Sequence, residues 1–269
     1  MDSGFYAAVN GARRAQMKLD VLANNLANVN TTGFKEDQLT FDSFMTSPGP
    51  EQFPLPTDNF MGLRGPYDIP FPFSNPASNA YRMTYPVAFE TEMTMTQGPL
   101  RQTGNPLDVA IEGDGFFAVQ GPDGERRYTR DGAFEIDSLG QLVTKDGFPL
   151  LNAGGAPIVV GKGPVVIGED GVVTSAGEQV GVLSRVGLPT EQLDKVGQNL
   201  YKAPQEYETN LDGARGGFHQ GFLEDSNSNP IRSMTQMIET QRATEMYVKM
   251  IQSLDTLDEK AANQVGRLE

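Results

Sequence analysis

The sequence predicts an α+β chain. N- and C-terminal α-helices pair in a coiled-coil-like way, and a central, mainly antiparallel β domain lies between them. Three observations point there. The first 35 and last 44 residues carry apolar side chains three or four apart, the helical period. From about Tyr81 to Asp225 the pattern alternates instead and is β-branched, as in Val109-Ala110-Ile111, Phe116-Phe117-Ala118-Val119 and Val165-Val166-Ile167. Asp-Gly pairs beginning at Asp114, Asp123, Asp131, Asp146, Asp170 and Asp212 punctuate that stretch, and such pairs favour the positive φ of hairpin turns.

In the first helix, Phe5, Val9, Ala12, Ala15, Leu19, Leu22, Leu26 and Val29 form one seam, with Arg13, Arg14, Lys18 and Asp20 off it. Asn30-Thr31-Thr32-Gly33 reads as its stop, with Gly33 suited to the left-handed position after a helix. Residues 36–80 read as an irregular connector, because eight prolines between Pro48 and Pro76 leave no room for a helix. Residues 81–225 form the β-rich domain. Residues 226–269 form the last helix, with Ser228 or Asn229 as N-cap and Pro230 in the first turn. Its seam runs through Ile231, Met234, Ile238, Tyr247, Ile251, Leu254, Leu257, Ala261, Val265 and Leu268, interrupted by polar Gln241 and Thr244.

Composition excludes several functions. At 38% hydrophobic and 21% charged, the chain is too apolar for wholesale disorder and too polar to be a membrane protein, and no apolar run approaches a bilayer span. Cysteine is absent and His219 is the single histidine, so thiolate sites and multi-histidine metal centres are impossible. The net charge of −14 argues against nucleic-acid binding. That surplus belongs to the middle of the chain, where it reads as a solubilising surface. The first residues show no basic segment followed by a continuous apolar one, so no cleavable signal peptide is expected.

Motifs for catalysis fail on inspection. Gly161-Lys162 lacks the Gly and Ser/Thr partners of a phosphate loop. The Asp-Gly pairs fit turns better than calcium loops. Glu112 and Asp114 are two apart, yet Gly113 and Gly115 make them turn residues rather than an acid–base pair. His219 reads as an ordinary structural or surface histidine. The chain is therefore not expected to be an enzyme, and no catalytic, cofactor or metal site is assigned.

Terminal helices flanking a β block, one of them joined through a proline-rich stretch that makes a poor core, suggest an assembly module. The subunit-contact residues are then Leu19, Leu22, Leu26 and Val29 on the first helix and Tyr247, Ile251, Leu254 and Leu257 on the last.

Three segments carry a family resemblance. Ala23-Asn24-Asn25-Leu26-Ala27-Asn28-Val29-Asn30-Thr31-Thr32-Gly33-Phe34-Lys35 resembles the N-terminal signature of the bacterial flagellar rod and hook proteins. Thr103-Gly104-Asn105-Pro106-Leu107-Asp108, with Ile111-Glu112-Gly113-Asp114-Gly115-Phe116-Phe117, resembles their internal motif. Gly221-Phe222-Leu223-Glu224-Asp225-Ser226-Asn227 resembles their C-terminal signature. Together these span nearly the whole chain in the right order. Length and the opening Met1-Asp2-Ser3-Gly4-Phe5-Tyr6-Ala7-Ala8 look most like the proximal rod subunit, with the distal one as close alternative.

The resemblance implies a structural protein of the flagellar basal body, exported unfolded through the flagellar type III apparatus. It would polymerise with copies of itself and other rod subunits into a rod that crosses the periplasm and transmits torque to the hook. A cysteine-free chain suits an oxidising compartment. Asn24, Asn25 and Asn28 match the signature and are expected to make helix-to-helix or helix-end hydrogen bonds. A carbohydrate-binding or carbohydrate-acting β protein is the rival from another class. It would want exposed aromatics and a defined carboxylate pair, and Trp is absent.

Overall fold

The computed structural model describes residues 2–44, 85–161, 163–211 and 216–265. The chain opens with α1 (Asp2–Ala27) and closes with α2 (Pro230–Val265). Between them come β1 (Asp37–Phe44), β2 (Tyr85–Met93), β3 (Leu100–Gln102), β4 (Val109–Ile111), β5 (Phe117–Gln120), β6 (Arg126–Thr129), β7 (Phe134–Ile136) and β8 (Leu142–Thr144). Then follow β9 (Val165–Ile167), β10 (Val172–Ser175), β11 (Glu178–Val182), β12 (Val186–Gly187), β13 (Asp194–Gly197), β14 (Leu200–Lys202), β15 (Thr209–Asn210), β16 (Phe218–Gln220) and β17 (Phe222–Glu224). The predicted α+β class with a central antiparallel β region is what the structure has.

The chain divides into two compact units. Residues 39–91 form one, and its described strand residues belong to β1 and β2, which pair with each other. The proline-rich run read as a connector lies mostly outside the described residues. The other unit joins residues 1–38 to 92–269 and contains both helices and the remaining strands.

Every pairing among β3–β17 is antiparallel. The largest sheet has the order β13-β14-β6-β5, beside a three-stranded β11-β10-β9 sheet and several two-stranded ribbons. The segment entering and forming β5 explains the continuous apolar run Phe116–Val119. Phe117 and Val119 enter one core with Val109, Leu142 and Phe218, while Phe116 and Ala118 enter a second with Tyr128 and Tyr201. With both faces covered, period-two alternation disappears. Phe117 meets Phe134 edge-on, ring centres 5.1 Å apart.

Asp-Gly turns close as expected at three places. Gly124, Gly147 and Gly171 take positive φ at the turns after β5, β8 and β9. Gly132 does not. It sits so close to the Val109 carbonyl, 1.6 Å from where a Cβ would stand, that only glycine fits.

A collar and a helix pair form the candidate assembly surface

One helix end follows the sequence reading and the other departs from it. Asn229 caps α2: its Oδ1 accepts from the N–H of Ile231 and Arg232 at 3.1 and 3.2 Å, with Pro230 as the first helical residue. At the other end, α1 stops at Ala27, six residues before Gly33. Asn28 satisfies the frayed turn by donating from Nδ2 to the Asn24 carbonyl at 2.9 Å, while its Oδ1 accepts from Thr31 Oγ1 at 3.2 Å. Gly33 does have φ +68°, but for a tertiary reason. Its N–H donates to the Glu224 carbonyl at 2.8 Å, and a Cβ there would stand 2.4 Å from the Arg130 backbone.

These contacts belong to a collar that binds the two helix ends to the β block. Asn25, 1% exposed, pairs reciprocally with the Asp37 backbone: Nδ2 donates to its carbonyl at 2.8 Å and Oδ1 accepts from its N–H at 3.0 Å. Asn227 does the same further along, accepting from Glu36 N at 2.7 Å and donating to the Thr94 carbonyl at 2.7 Å. At the centre lies a buried ion pair. Lys35 Nζ is 2.7 Å from Glu224 Oε1, both side chains 1% exposed. Lys35 also donates to the Thr96 carbonyl, Glu224 Oε1 accepts from Gly98 N, and Arg130 Nε stands 3.4 Å from Glu224 Oε2. Burial pulls both the Lys35 ammonium and the Arg130 guanidinium below their ordinary pKa ranges, and Glu224 opposes that in each case. Sequence reading assigned Asn24, Asn25 and Asn28 but missed Lys35, Glu224 and Asn227, although all three stand in the quoted signatures. Each charge follows apolar residues, in Phe34-Lys35 and Phe222-Leu223-Glu224, but precedes another charge, Glu36 or Asp225, so neither marks itself in the sequence as buried.

Above the collar the helices run antiparallel. Asn227 meets Phe34 at the base, whereas Gly11 lies against Tyr247. A Cβ on Gly11 would stand 2.4 Å from that ring, so the helices touch backbone to aromatic there. Ala8, Ala15, Leu22 and Asn25 form the buried line of α1, each within a third of a turn of its neighbour around the axis. Leu22 is 5% exposed. Leu19, Leu26 and Val29 are half-buried, Asn28 likewise, and Asn24 is exposed.

On α2 the line toward α1 is Ser233 and Thr240, both buried, continued by Tyr247, Ile251 and Leu254. Tyr247, Ile251 and Leu254 are therefore on the seam as expected, half-buried. Leu257 is 56% exposed. Carrying the Gly11–Tyr247 register back brings Asp2, the first described residue of α1, opposite Thr256. Ile231, Met234 and Ile238 are not on this seam. Stepping back from Tyr247 by sevens gives Thr240 and Ser233, and those small polar residues face α1 with their hydroxyls bonded to carbonyls four residues earlier. The break in spacing between Ile238 and Tyr247 marked a change of face.

On one side of the pair, Leu19, Thr244 and Val248 floor a groove of about 380 Å³, rimmed by Glu245 and Lys249. The β block holds a roomier cavity of about 750 Å³ over the collar, walled by Met95, Phe116, Leu188 and Tyr207 and floored by Lys35 and Arg130. His219 Nε2 lies 2.7 Å from Glu112 Oε2 at the surface. Among the described residues no cluster of three His, Cys, Asp or Glu is placed to hold a metal, and no helix is long and apolar enough to cross a membrane.

The elements that build collar and helix pair are also those that match known families. Residues 5–35 match the family described as flagella basal body rod protein, and residues 219–265 the C-terminal family of flagellar basal body rod FlgEFG proteins. Residues 110–175 match the D1 domain of the flagellar hook protein FlgE/F/G family. The flagellar basal-body rod protein FlgF of Caulobacter vibrioides is 34% identical, over 100% of both chains. The chain belongs to the flagellar basal-body rod protein family. Its relatives include the rod protein FlgG of Buchnera aphidicola from Schizaphis graminum, 34% identical over 93% of this chain and 95% of the relative. FlgG of Bacillus subtilis is 33% identical over 96% and 97%. This rod protein is thus a structural subunit of the flagellar basal body. The family is not one of enzymes, and the carbohydrate reading falls away.

Proposed function

We propose that the chain is a proximal-rod subunit that polymerises through its terminal helices with copies of itself and other rod subunits, in the part of the drive shaft that crosses the periplasm. It would reach that place unfolded, through the flagellar type III apparatus, and carry torque toward the hook. The observation that carries this is the helix pair. Two helices from opposite ends of the chain lie side by side, yet Leu19, Leu26, Tyr247, Ile251 and Leu254 stay half-open and Phe5, Val9 and Leu257 are exposed. A helix pair that covers its apolar surface so incompletely is suited to packing against further helices in coiled-coil-like bundles. Leu19, Leu22, Leu26, Val29, Tyr247, Ile251, Leu254 and Leu257 are the proposed contact residues. Asn24 and Asn28 hold the helix end, and Asn25 fixes the pair to the collar.

Deleting the gene in a swimming strain tests the reading. Electron microscopy of basal bodies should show rods that stop short, with swimming restored by the full chain. Complete rods and normal swimming in the deletion strain would refute it.

A further inference from the structure

We propose that the collar is a rigid joint: its polar network fixes the angle between the helix pair and the β block, so that a twist applied to one reaches the other. Covalent connection alone would not do this. The β block runs into α2 through residues 225–229, whereas α1 leads through residues 28–36 into β1, whose residues from 39 on belong to the other unit. A linker that short, left to itself, is the kind of place where a chain hinges. The joint belongs to the single chain, so it stands or falls independently of the polymerising role proposed above.

The stretch after α1 is the opposite of a hinge. Each residue from Thr32 to Asp37 is bonded to another part of the chain. Thr32 Oγ1 donates to Asp131 Oδ1, and the Thr32 carbonyl accepts from Asn199 Nδ2, both at 2.6 Å. The Gly33 N–H donates to the Glu224 carbonyl, and the Phe34 carbonyl accepts from the Asn227 N–H. The Lys35 carbonyl accepts from Lys195 Nζ at 2.9 Å, while its ammonium meets Glu224. The amides of Asn227 and Asn25 hold Glu36 and Asp37. These bonds run to α1 itself, to the approach of α2, to the turn after β6 and to the β13–β14 hairpin.

Bonds of this kind define an angle as well as a contact. Apolar surfaces tolerate sliding, whereas a hydrogen bond weakens steeply once it is bent. The Glu224 carboxylate takes Lys35 and the Gly98 N–H on Oε1 and faces Arg130 with Oε2, so one group registers both the linker and the block. The backbones leave no slack there: a Cβ on Gly98 would stand 2.0 Å from the Asp225 carbonyl oxygen. A buried ionic network adds little stability over apolar side chains of the same volume. What a fully connected one supplies is a single geometry.

The test reads orientation rather than stability. The full chain has no cysteine, so spin labels attach only where one is introduced. Ala23→Cys on α1 with Val166→Cys on β9 spans the collar, and Leu139→Cys with Val166→Cys stays inside the β block; all three positions are exposed. Pulsed electron spin resonance gives the distance distribution of each pair. Both should be narrow in the otherwise unchanged chain. Lys35→Met/Arg130→Met/Glu224→Leu should widen the collar-spanning distribution about twofold or more and leave the block distribution as it was. Asn227→Ala, at the rim of the collar, should widen the same distribution by itself, and it carries the test should the triple variant not fold. A collar-spanning distribution already broad before any collar residue is changed would overturn the inference. So would one that stays narrow in the folded variants, or one that widens together with the block pair.

Discussion

At the scale of single residues, the collar spends its stability on groups that dislike burial. Asp131 is a clear case. Burial raises its carboxyl above the ordinary 3.8, and hydrogen bonds from Thr32 Oγ1 at 2.6 Å and Ala133 N at 3.1 Å only partly oppose that. A carboxyl whose folded pKa is raised favours folding below its unfolded value, and that contribution is lost as pH rises through the folded pKa. Asp131→Asn keeps an oxygen acceptor for both donors and removes the charge. The variant should be at least as stable as the parent at pH 7, and its advantage should shrink as pH falls toward 3.8. A melting-temperature series against pH would show this, and a variant weakened at pH 7 would contradict it. Lys35 and Glu224 meet the same cost as a pair. Each is the other's principal charge partner in a dry site, so Lys35→Met leaves a buried carboxylate with the Gly98 N–H and a more distant Arg130, and should cost about 3–5 kcal/mol. The double change Lys35→Met/Glu224→Leu should recover part of that in denaturant melts, whereas equal losses from single and double variants would deny the coupling.

At the scale of elements, the helix pair is decided by where small residues fall. Gly11 is a poor helix residue, and Gly11→Ala in an exposed helix would gain about 1 kcal/mol. Here the added methyl meets the Tyr247 ring, and overpacking costs about 1–3 kcal/mol. The expected net result is a lower melting temperature of the helical circular dichroism signal, partly restored in Gly11→Ala/Tyr247→Ala. A higher melting temperature for the single variant would mean the helices do not touch there. The same geometry explains what could be read beforehand. Helices, strands and several Asp-Gly turns were legible because each is written in local period or local φ preference. The phase of α2 was half legible: Tyr247, Ile251 and Leu254 follow the apolar rule, but Ser233 and Thr240 are buried with their hydroxyls satisfied inside the helix, and hydrophobicity cannot announce that. The stop of α1 was misplaced because Gly33 answers to Glu224 and Arg130, nearly two hundred and one hundred residues away in sequence. The Lys35–Glu224 pair was invisible for the same reason: its partners are brought together only by the fold.

At the scale of the molecule, two regions of unequal stability share one chain. The β block buries two apolar clusters, while among the described side chains of α1 the buried apolar ones are Ala8, Ala15 and Leu22, joined by Phe34 at the collar. Fixing each helical residue costs about 1–2 kcal/mol of backbone entropy, so so few burials leave the outer helix pair marginal in the monomer. Openings should therefore begin at the outer ends of α1 and α2 and stop at the collar, where Asn25, Asn227 and the Lys35–Glu224 pair tie the strands down. Limited trypsin digestion of dilute protein reads this directly. Arg13, Arg14 and Lys18 on α1 and Arg242 and Lys249 on α2 should be cut first. Lys35, 1% exposed, and Arg127, Arg130 and Arg185, all under a tenth exposed, should survive longest. Mass spectrometry should then find fragments that keep Lys35 and Glu224 and have lost both outer helix ends. Assembly would reverse the order, because packing by neighbouring copies covers the sites on α1, and the same digestion of intact basal bodies should leave them uncut. Equal protection of Arg13, Arg14 and Lys18 in dilute monomer and in the rod would show that the helix pair is complete alone and that assembly adds nothing to its order.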